Sequence, residues 1–227
     1  MKKPLLLLIP LILTLGACNT RKESDIPDNP DTPDTPSWGE TATKEIVFKG
    51  DKTTSSLVQG SEIGETSFNN SVTNFINAQT NNSLVELGGN KCTVQFVGGD
   101  DKTATDVSLC VGTGSLKGLI YFTFNLDIVQ IDVTLQNYYK PHHDYELNVD
   151  VSGVDVDAEV VMCSYSPTDG VKESKEVNLA TEDAVSIPVE RNETLELKES
   201  TNTIAFYNNA SKHRTYIHSL TITYLVK

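Results

Sequence analysis

The chain has 227 residues, a length that allows one sizeable domain or two small ones. Hydrophobic residues make up 38% and charged residues 22%, proportions that are typical of a soluble globular protein. The formal net charge is −13, with 18 Lys and Arg against 31 Asp and Glu, and this acidity argues against binding to nucleic acid or to anionic lipid by charge.

The first 18 residues combine a basic start, a short apolar run and a cysteine. Lys2 and Lys3 precede an apolar run over residues 5–15, which is shorter than the about 20 residues that a transmembrane helix needs. These features favour a secretory signal. The sequence Leu-Gly-Ala-Cys at positions 15–18 resembles the lipobox of bacterial lipoproteins, in which the cysteine receives diacylglycerol and becomes the new N-terminus. The resemblance implies a lipid anchor on Cys18 at the extracytoplasmic side of the cell membrane.

A segment without apolar periodicity follows, from residue 19 to about residue 43. Between Pro27 and Pro36 proline recurs at every third position with Asp nearby, which favours an extended polyproline II conformation. At about 3.1 Å per residue, some twenty residues could lift the following domain roughly 60 Å from the membrane. We therefore divide the chain into a signal peptide (1–17), a lipidated Pro/Asp-rich linker (18–44) and a folded domain (45–227).

The folded domain shows short apolar runs separated by clusters of Gly, Asn, Asp and Ser, a pattern typical of an all-β sandwich or barrel. Period-two alternation is clear where Ile131, Val133 and Leu135 share one face of a strand. One helix is indicated over residues 71–78, with Ser71 as its cap. The predicted strands cover residues 45–49, 84–87, 91–97, 107–111, 119–124, 128–135, 145–151, 159–165, 185–190, 203–207 and 216–225.

The order of these segments resembles a known module. The resemblance rests on residues 107–115, 118–124, 128–133, 138–141, 202–206 and 214–224. Together they are similar to an uncharacterised β-sandwich module of surface lipoproteins and secreted proteins from low-GC Gram-positive bacteria, itself similar to galactose-binding-like and carbohydrate-binding jelly rolls. The resemblance spans residues 45–226. It implies an antiparallel jelly-roll sandwich with a binding role, and it carries over no catalytic residue.

Three cysteines remain in the folded domain after Cys18. Because three is an odd number, at least one thiol is unpaired within the chain. Either Cys92 and Cys110 form a disulfide, or Cys92, which shares a face with Val94 and Phe96, is a small core residue. No Cys or His pair has the spacing of a zinc site, so we predict no metal centre and no cofactor. The sequence leaves open whether an acidic loop binds a calcium ion.

Histidines offer little for chelation or catalysis. His142 and His143 are adjacent on an extended segment, so their side chains are expected to point in opposite directions. His218 has the parity of Leu220, which leaves two alternatives. Either His218 reaches the edge of the core, or a bulge near Ser219 turns it outward and turns its preceding neighbour inward.

No set of convergent titratable residues predicts an enzyme. We expect a non-catalytic binding module at the cell surface, with a glycan as ligand and without nucleic acid as partner. The alternative is a structural or adhesive envelope protein that binds a protein partner and no small ligand. The candidate glycan contacts form an aromatic and polar cluster, because sugar rings stack on aromatic side chains and polar groups bond the hydroxyls: Tyr138, Tyr139, His142, His143 and Tyr145.

The lipoprotein interpretation predicts the fate of the signal peptide. Cys18→Ser should leave residues 1–17 attached, because the lipid acceptor is lost. Mass spectrometry of the N-terminus checks this result. Normal cleavage, together with release from the membrane by detergent alone, in the Cys18→Ser variant would contradict lipidation at this residue.

Overall fold

The computed structural model describes residues 36–98, 102, 104–144, 149–154, 159–180, 188–211 and 213–227, without the side chains of residues 140–144 and 149–154. Cys18 and Tyr145 therefore lie outside the described residues. The chain from Pro36 to Lys227 forms one compact unit. Within the described residues, no helix is long and apolar enough to cross a membrane.

The described part of the chain contains one helix and twelve strands, and every strand pair is antiparallel. The predicted all-β antiparallel sandwich is confirmed. In chain order the elements are β1 (Thr41–Val47), β2 (Gly50–Asp51), α1 (Thr66–Thr80), β3 (Leu84–Asn90), β4 (Cys92–Phe96), β5 (Asp106–Val111), β6 (Leu119–Asn137), β7 (Tyr139–Asp144), β8 (Val149–Val154), β9 (Glu159–Ser166), β10 (Gly170–Asn178), β11 (Glu190–Tyr207) and β12 (Thr215–Leu225).

Two long strands, β6 and β11, run through both layers of the sandwich. In the first layer, the order is β10, β9, the second half of β11, the first half of β6, and β3. In the second layer, the first half of β11 pairs with the second half of β6, followed by β12 and then by β1 and β5. β4 extends this layer beyond β5. The two strands thus connect the layers around one core.

The pairing of β11 with β6 is interrupted between Glu196 and Thr201, where β11 passes from one layer to the other. The carboxylate of Glu173 on β10 accepts hydrogen bonds there from the backbone N–H of Lys198 (2.9 Å) and of Glu199 (3.1 Å). Such bonds to a charged acceptor are stronger than neutral ones. Glu173 therefore holds the chain at the point where it changes layers.

The core lies between the layers and is built by side-chain alternation. Ile204, Phe206, Leu220 and Ile222 are fully buried in it, as their parity predicts. Tyr224, which has the parity of Ile222, is only half-buried. The register shifts just before Tyr224, near the end of the strand, and this shift moves the ring to the edge of the core.

Helix α1 is longer than the sequence predicts, because it begins after Glu65 rather than at Ser71. Its first turns are rich in Thr, Ser and Asn, which have low helix propensity, so they gave no helical signal. Packing overrides this preference. Buried side chains recur at every fourth position and face β1 and β3: Phe68, Val72, Ile76 and Thr80.

Other strand boundaries also differ from the sequence analysis. β1 begins at Thr41 and pairs there with Leu225, so residues 41–44, which were assigned to the linker, belong to the sheet. The predicted strands 119–124 and 128–135 form the single strand β6. β10 and the first half of β11 were missed because most of their side chains are polar and exposed, which left no apolar alternation.

The role of Glu173 predicts a loss of stability on truncation. Glu173→Ala should lower the free energy of unfolding by about 1–2 kcal/mol, because two backbone N–H groups lose a charged acceptor and keep only water as a partner. Chemical denaturation measures this change. Glu196→Ala, which truncates an exposed glutamate of β11, serves as the control and should change stability by less than about 0.5 kcal/mol. Equal effects of the two substitutions would contradict the role assigned to Glu173.

Candidate functional site

The outward-facing side chains of the second layer form a groove across four strands. Alternation along β6 turns Ile131, Val133 and Leu135 to the core and turns Asp132 and Thr134 to the outside. The groove has a volume of about 290 Å³. We call it the polar groove, and its lining residues are Glu45, Asp132, Val133, Thr134, Asn192, Glu193, Thr194, Ser219 and Thr221.

Hydrogen bonds between neighbouring strands fix the side chains of the polar groove. The Ser219 hydroxyl donates to Thr134 Oγ1 (2.9 Å), and the Thr134 hydroxyl donates to Asn192 Oδ1 (2.7 Å). The Thr194 hydroxyl donates to Asp132 Oδ1 (2.5 Å). The side-chain amide oxygen of Asn192 accepts the hydrogen bond from Thr134. The two N–H bonds of the same amide are therefore directed away from Thr134. The groove thus holds oriented donors and acceptors before any ligand arrives.

The charge of the polar groove is negative. Glu45 and Asp132 contribute carboxylates, and neither has a cationic partner among the described residues. Glu193 is opposite core-facing Val133, so its side chain lies on the inner side of the sheet, where Lys175 Nζ is 2.7 Å from Glu193 Oε2. The groove therefore disfavours anionic ligands by like-charge repulsion.

Beside the groove, Ser108, His218 and Gln136 form a buried polar cluster. His218 Nδ1 lies 3.2 Å from Ser108 Oγ, and Nε2 lies 2.8 Å from Gln136 Oε1. In a catalytic site these positions would be those of a nucleophile (Ser108), a general base (His218) and a residue that orients the base (Gln136). The Ser108 hydroxyl, however, donates its hydrogen bond to the carbonyl of Ile217 (2.7 Å) and not to His218.

The weak basicity of His218 also argues against a role as general base. Burial, assisted by the positive charge of Lys49, lowers the pKa of His218 to about 3. The imidazole is therefore neutral, and the carboxylate of Glu190, 4.0 Å from Nε2, pairs with Lys49 instead (3.9 Å). With Ser108 and Gln136 almost fully buried as well, substrate has no access to this cluster.

His218 occupies a bulge in β12, which settles the alternative left by the sequence. The register shifts between Ile217 and Ser219, and Ile217 packs in the core. The His218 carbonyl accepts hydrogen bonds from the backbone N–H of Phe48 (2.8 Å) and of Lys49 (2.9 Å). The bulge with Ile217 inward is thus confirmed. His218 faces outward from the sheet, yet its polar neighbours cover it.

Tyr138 and Tyr139 lie at the end of this same face. The ring of Tyr138 stacks on buried Tyr216 at 5.4 Å, and the guanidinium of Arg214 lies 3.5 Å from its centroid. Tyr139 packs over Gly98, where an added Cβ would collide with the tyrosine hydroxyl. Both rings are half-buried and engaged in packing.

The remaining predicted contacts are placed only in part. His142 and His143 are neighbours on β7, opposite Val151 and Asp150 of β8, and their side chains are not described. Tyr145 lies outside the described residues. A glycan contact by these residues or by the two tyrosines stays a prediction.

Within the described residues, Cys92, Cys110 and Cys163 form no disulfide. Cys92 is a fully buried core residue beside Val94, as one of the two alternatives predicted. Cys110 pairs with Thr93 and faces the opposite side of the sheet, so it forms no disulfide with Cys92. Burial raises the pKa of Cys163 to about 12. Within the described residues, no group of three or more His, Cys, Asp or Glu is arranged to hold a metal ion.

The polar groove was not singled out by the sequence analysis. Its signal is present as polar residues at alternate positions, such as Asp132 and Thr134 or Ser219 and Thr221. Alternation alone shows that such residues face outward. It does not show which strands lie side by side, and only that adjacency brings the four segments into one groove.

No protein-family model matches the chain, and no curated protein sequence matches it. Among solved structures, it is similar to an arabinose-bound α-L-arabinofuranosidase with 8% identity and a TM-score of 0.43, over 78% of this chain and 27% of the enzyme. It is also similar to a family 29 carbohydrate-binding module with 11% identity and a TM-score of 0.37, over 81% of this chain and 92% of the module. A carbohydrate-binding module in complex with β-1,4-galactotriose matches with 10% identity and a TM-score of 0.30, over 63% of this chain and 87% of the module. The chain thus spans about a quarter of the length of the enzyme.

The low pKa of His218 predicts a pH dependence of stability. The folded protein takes up this proton only near pH 3, whereas the unfolded chain takes it up near the ordinary pKa of 6.5. Below the ordinary pKa the unfolded state therefore binds more protons, so the free energy of unfolding should fall by up to about 1.4 kcal/mol per pH unit as the pH decreases from 6.5 towards about 3.

His218→Gln removes this titrating group and keeps a polar side chain, so its stability should depend less on pH in the same interval. Denaturation curves of both proteins at several pH values measure the difference. An unchanged pH dependence in His218→Gln would show that His218 is not buried in its neutral form.

Proposed function

We propose that the folded domain is a non-catalytic module that binds neutral glycans in the polar groove. The observation that carries the proposal is the set of oriented hydroxyl, amide and carboxylate groups across four adjacent strands. A sugar ring presents hydroxyls that both donate and accept hydrogen bonds. Such a ligand can satisfy both the amide hydrogens of Asn192 and the carboxylate of Glu45.

The preformed network favours binding energetically. Ser219, Thr134 and Asn192 are already held by mutual hydrogen bonds, so little side-chain freedom is lost when a ligand binds. Hydrogen bonds from sugar hydroxyls to carboxylates are stronger than those between neutral groups. The groove is also open rather than enclosed, which allows an internal segment of a longer glycan to lie across the strands.

Charge selects the class of glycan. The carboxylates of Glu45 and Asp132 repel uronate or sulfate groups, so the ligand is a neutral sugar chain. The Asp132 carboxylate is a poor candidate for acid–base catalysis. Both of its oxygens accept hydrogen bonds, one from Thr194 and one from Gln130 Nε2 (2.8 Å).

The proposal includes the cellular location expected from the sequence. Cys18 would carry the lipid anchor at the outer side of the cell membrane, and the Pro/Asp-rich linker would hold the domain away from the surface. A glycan-binding domain in this position could hold a polysaccharide near the cell. The alternative is that the domain binds an envelope protein and no glycan, and the binding test below distinguishes the two.

A direct test compares neutral galactan with polygalacturonate, whose sugars carry a carboxylate. The full-length chain should bind galactan and not polygalacturonate in affinity electrophoresis. Asn192→Ala should weaken binding about fivefold to tenfold, because a hydrogen bond to the ligand is worth about 1 kcal/mol and the Thr134 hydroxyl loses its acceptor.

The matched control is Asn70→Ala, which truncates an exposed asparagine of α1 outside the groove. It should bind as the original protein does. The proposal is wrong if a panel of neutral polysaccharides gives no binding, or if Asn70→Ala and Asn192→Ala weaken binding equally. Capture of an envelope protein that added sugars do not displace would favour the protein-binding alternative.

A further inference from the structure

A depression larger than the polar groove lies between α1 and the segment that follows β1. Its volume is about 480 Å³, whereas that of the groove is about 290 Å³. Three apolar side chains line it, Val47 from β1 and Phe75 and Ala78 from α1. We call it the apolar cleft. Its surface differs from that of the groove, where hydroxyl, amide and carboxylate groups predominate.

The apolar cleft adjoins the polar groove on one face of the sheet. Val47 of β1 is directly opposite Ser219 of β12, and Glu45 is directly opposite Thr221. Residues that are opposite each other on paired strands share a face. Ser219, Thr221 and Glu45 line the groove, so Val47 is the next outward side chain beside them, and it also lines the cleft. A ligand that lies in the groove can therefore place a substituent in the cleft.

The apolar surface of the cleft is held in place by the fold. The half-buried ring of Phe75 stacks on the fully buried ring of Phe48, with centroids 6.1 Å apart and planes inclined by 24°. Gln79 joins α1 to the edge of β1, because its Oε1 accepts a hydrogen bond from the backbone N–H of Val47 (2.9 Å). Val47 is 42% exposed although it is apolar. A ligand would remove this preformed apolar surface from water.

The margin of the cleft is polar, and its charge is negative. Hydroxyl and side-chain amide groups there can bond a carbonyl or a phenol, and they belong to Thr54, Ser55, Ser56, Asn74 and Gln79. Asp51 contributes a carboxylate, whose Oδ1 accepts hydrogen bonds from the hydroxyl (2.5 Å) and the backbone N–H (2.8 Å) of Thr53. These bonds lower the pKa of Asp51, so the carboxyl group is ionised at neutral pH. The cleft thus disfavours a free carboxylic acid, whose carboxylate Asp51 would repel.

We propose that the ligand of the polar groove is a neutral glycan that carries an aromatic acyl ester, and that the acyl group occupies the apolar cleft. This inference rests on the proposed function of the groove, because the sugar chain must lie there for its substituent to reach Val47. The ester is uncharged, so Asp51 does not repel it. The aromatic ring packs against Phe75 and Ala78, and the polar groups at the margin bond the ester carbonyl and any phenolic hydroxyl.

The size of the cleft and its position select this occupant. An acetyl group would leave most of the 480 Å³ to water, whereas a hydroxycinnamoyl group fills more of it and brings a flat ring to Phe75. An apolar side chain of a protein partner could also enter the cleft. It would make no use of the hydrogen-bonding groups that lie next to Val47 on the same face, such as Ser219 and Glu45. A single ligand that is polar in the groove and apolar in the cleft uses both surfaces.

Calorimetric titration of the full-length chain tests the cleft with three forms of one β-1,4-galactan oligosaccharide. One form carries a feruloyl ester, one carries an acetyl ester, and one has been freed of esters by alkali. The feruloylated form should bind about tenfold more tightly than the unesterified form, because the aromatic group leaves water. The acetylated form should gain less. Methyl ferulate should compete with the feruloylated form more strongly than free ferulate does.

Ala78→Gln fills part of the cleft from an exposed position of α1, and thermal melting confirms that the variant is folded. It should abolish the advantage of the feruloyl ester and leave binding of the unesterified form unchanged. Ser67→Gln is the matched control, because it places the same side chain at an exposed position of α1 outside the cleft. It should bind all three forms as the original protein does. Asn192→Ala, in the groove, should weaken binding of every form.

These results separate the two proposals. If the feruloylated and unesterified forms bind equally, or if Ala78→Gln and Ser67→Gln act alike, the cleft proposal is overturned and the groove proposal stands. If only the feruloylated form binds and Ala78→Gln abolishes this binding, the cleft is supported and the groove proposal fails. If no form binds, both are overturned. Capture of a protein partner that Ala78→Gln prevents, together with equal binding of all three forms, would assign the cleft to a protein side chain and overturn the proposal.

Discussion

The passage of β6 and β11 through both layers is the constraint on which both outer faces depend. Each strand must turn its apolar side chains to the same core in both halves, and the register must change between the halves. In β11 the Glu173 carboxylate secures this change by binding the N–H groups of Lys198 and Glu199. A shift of one residue at this point would turn Asn192 and Thr194 inward and place apolar residues outside. The geometry of the polar groove thus rests on two hydrogen bonds that lie outside the groove.

The same strands give the two outer faces opposite chemistry. Along the second half of β6 the outward residues are Asp132 and Thr134, in a hydrogen-bonded polar surface. Along its first half the outward residue Tyr121 lies flat over Gly88.

The sequence predicted the fold class and most strands because period-two alternation marks strands with one buried face. It did not predict β10 or the first half of β11, where the exposed side chains carry no apolar signal and pairing with neighbours determines the structure. The turns at the start of α1 were missed for a similar reason, since the packing of Phe68 compensates for poor helix propensity. The bulge at His218 was foreseen as one of two alternatives, because the parity of Leu220 and Ile222 conflicts with that of Ile217 unless a residue is inserted. The polar groove could not be predicted, since it is assembled from strands that are distant in sequence.

The central claim is that neutral glycans bind in the polar groove, and the side-chain amide of Asn192 reports on it most directly. In a two-dimensional ¹H–¹⁵N NMR titration with neutral galactan oligosaccharides, the Asn192 side-chain signals and the backbone signals of Thr134 and Ser219 should shift in proportion to occupancy. The side-chain signals of Asn70 should not move. If galactan binds while the groove signals stay unchanged, or if no neutral oligosaccharide shifts them at saturating concentration, the account of the groove as a glycan site is contradicted.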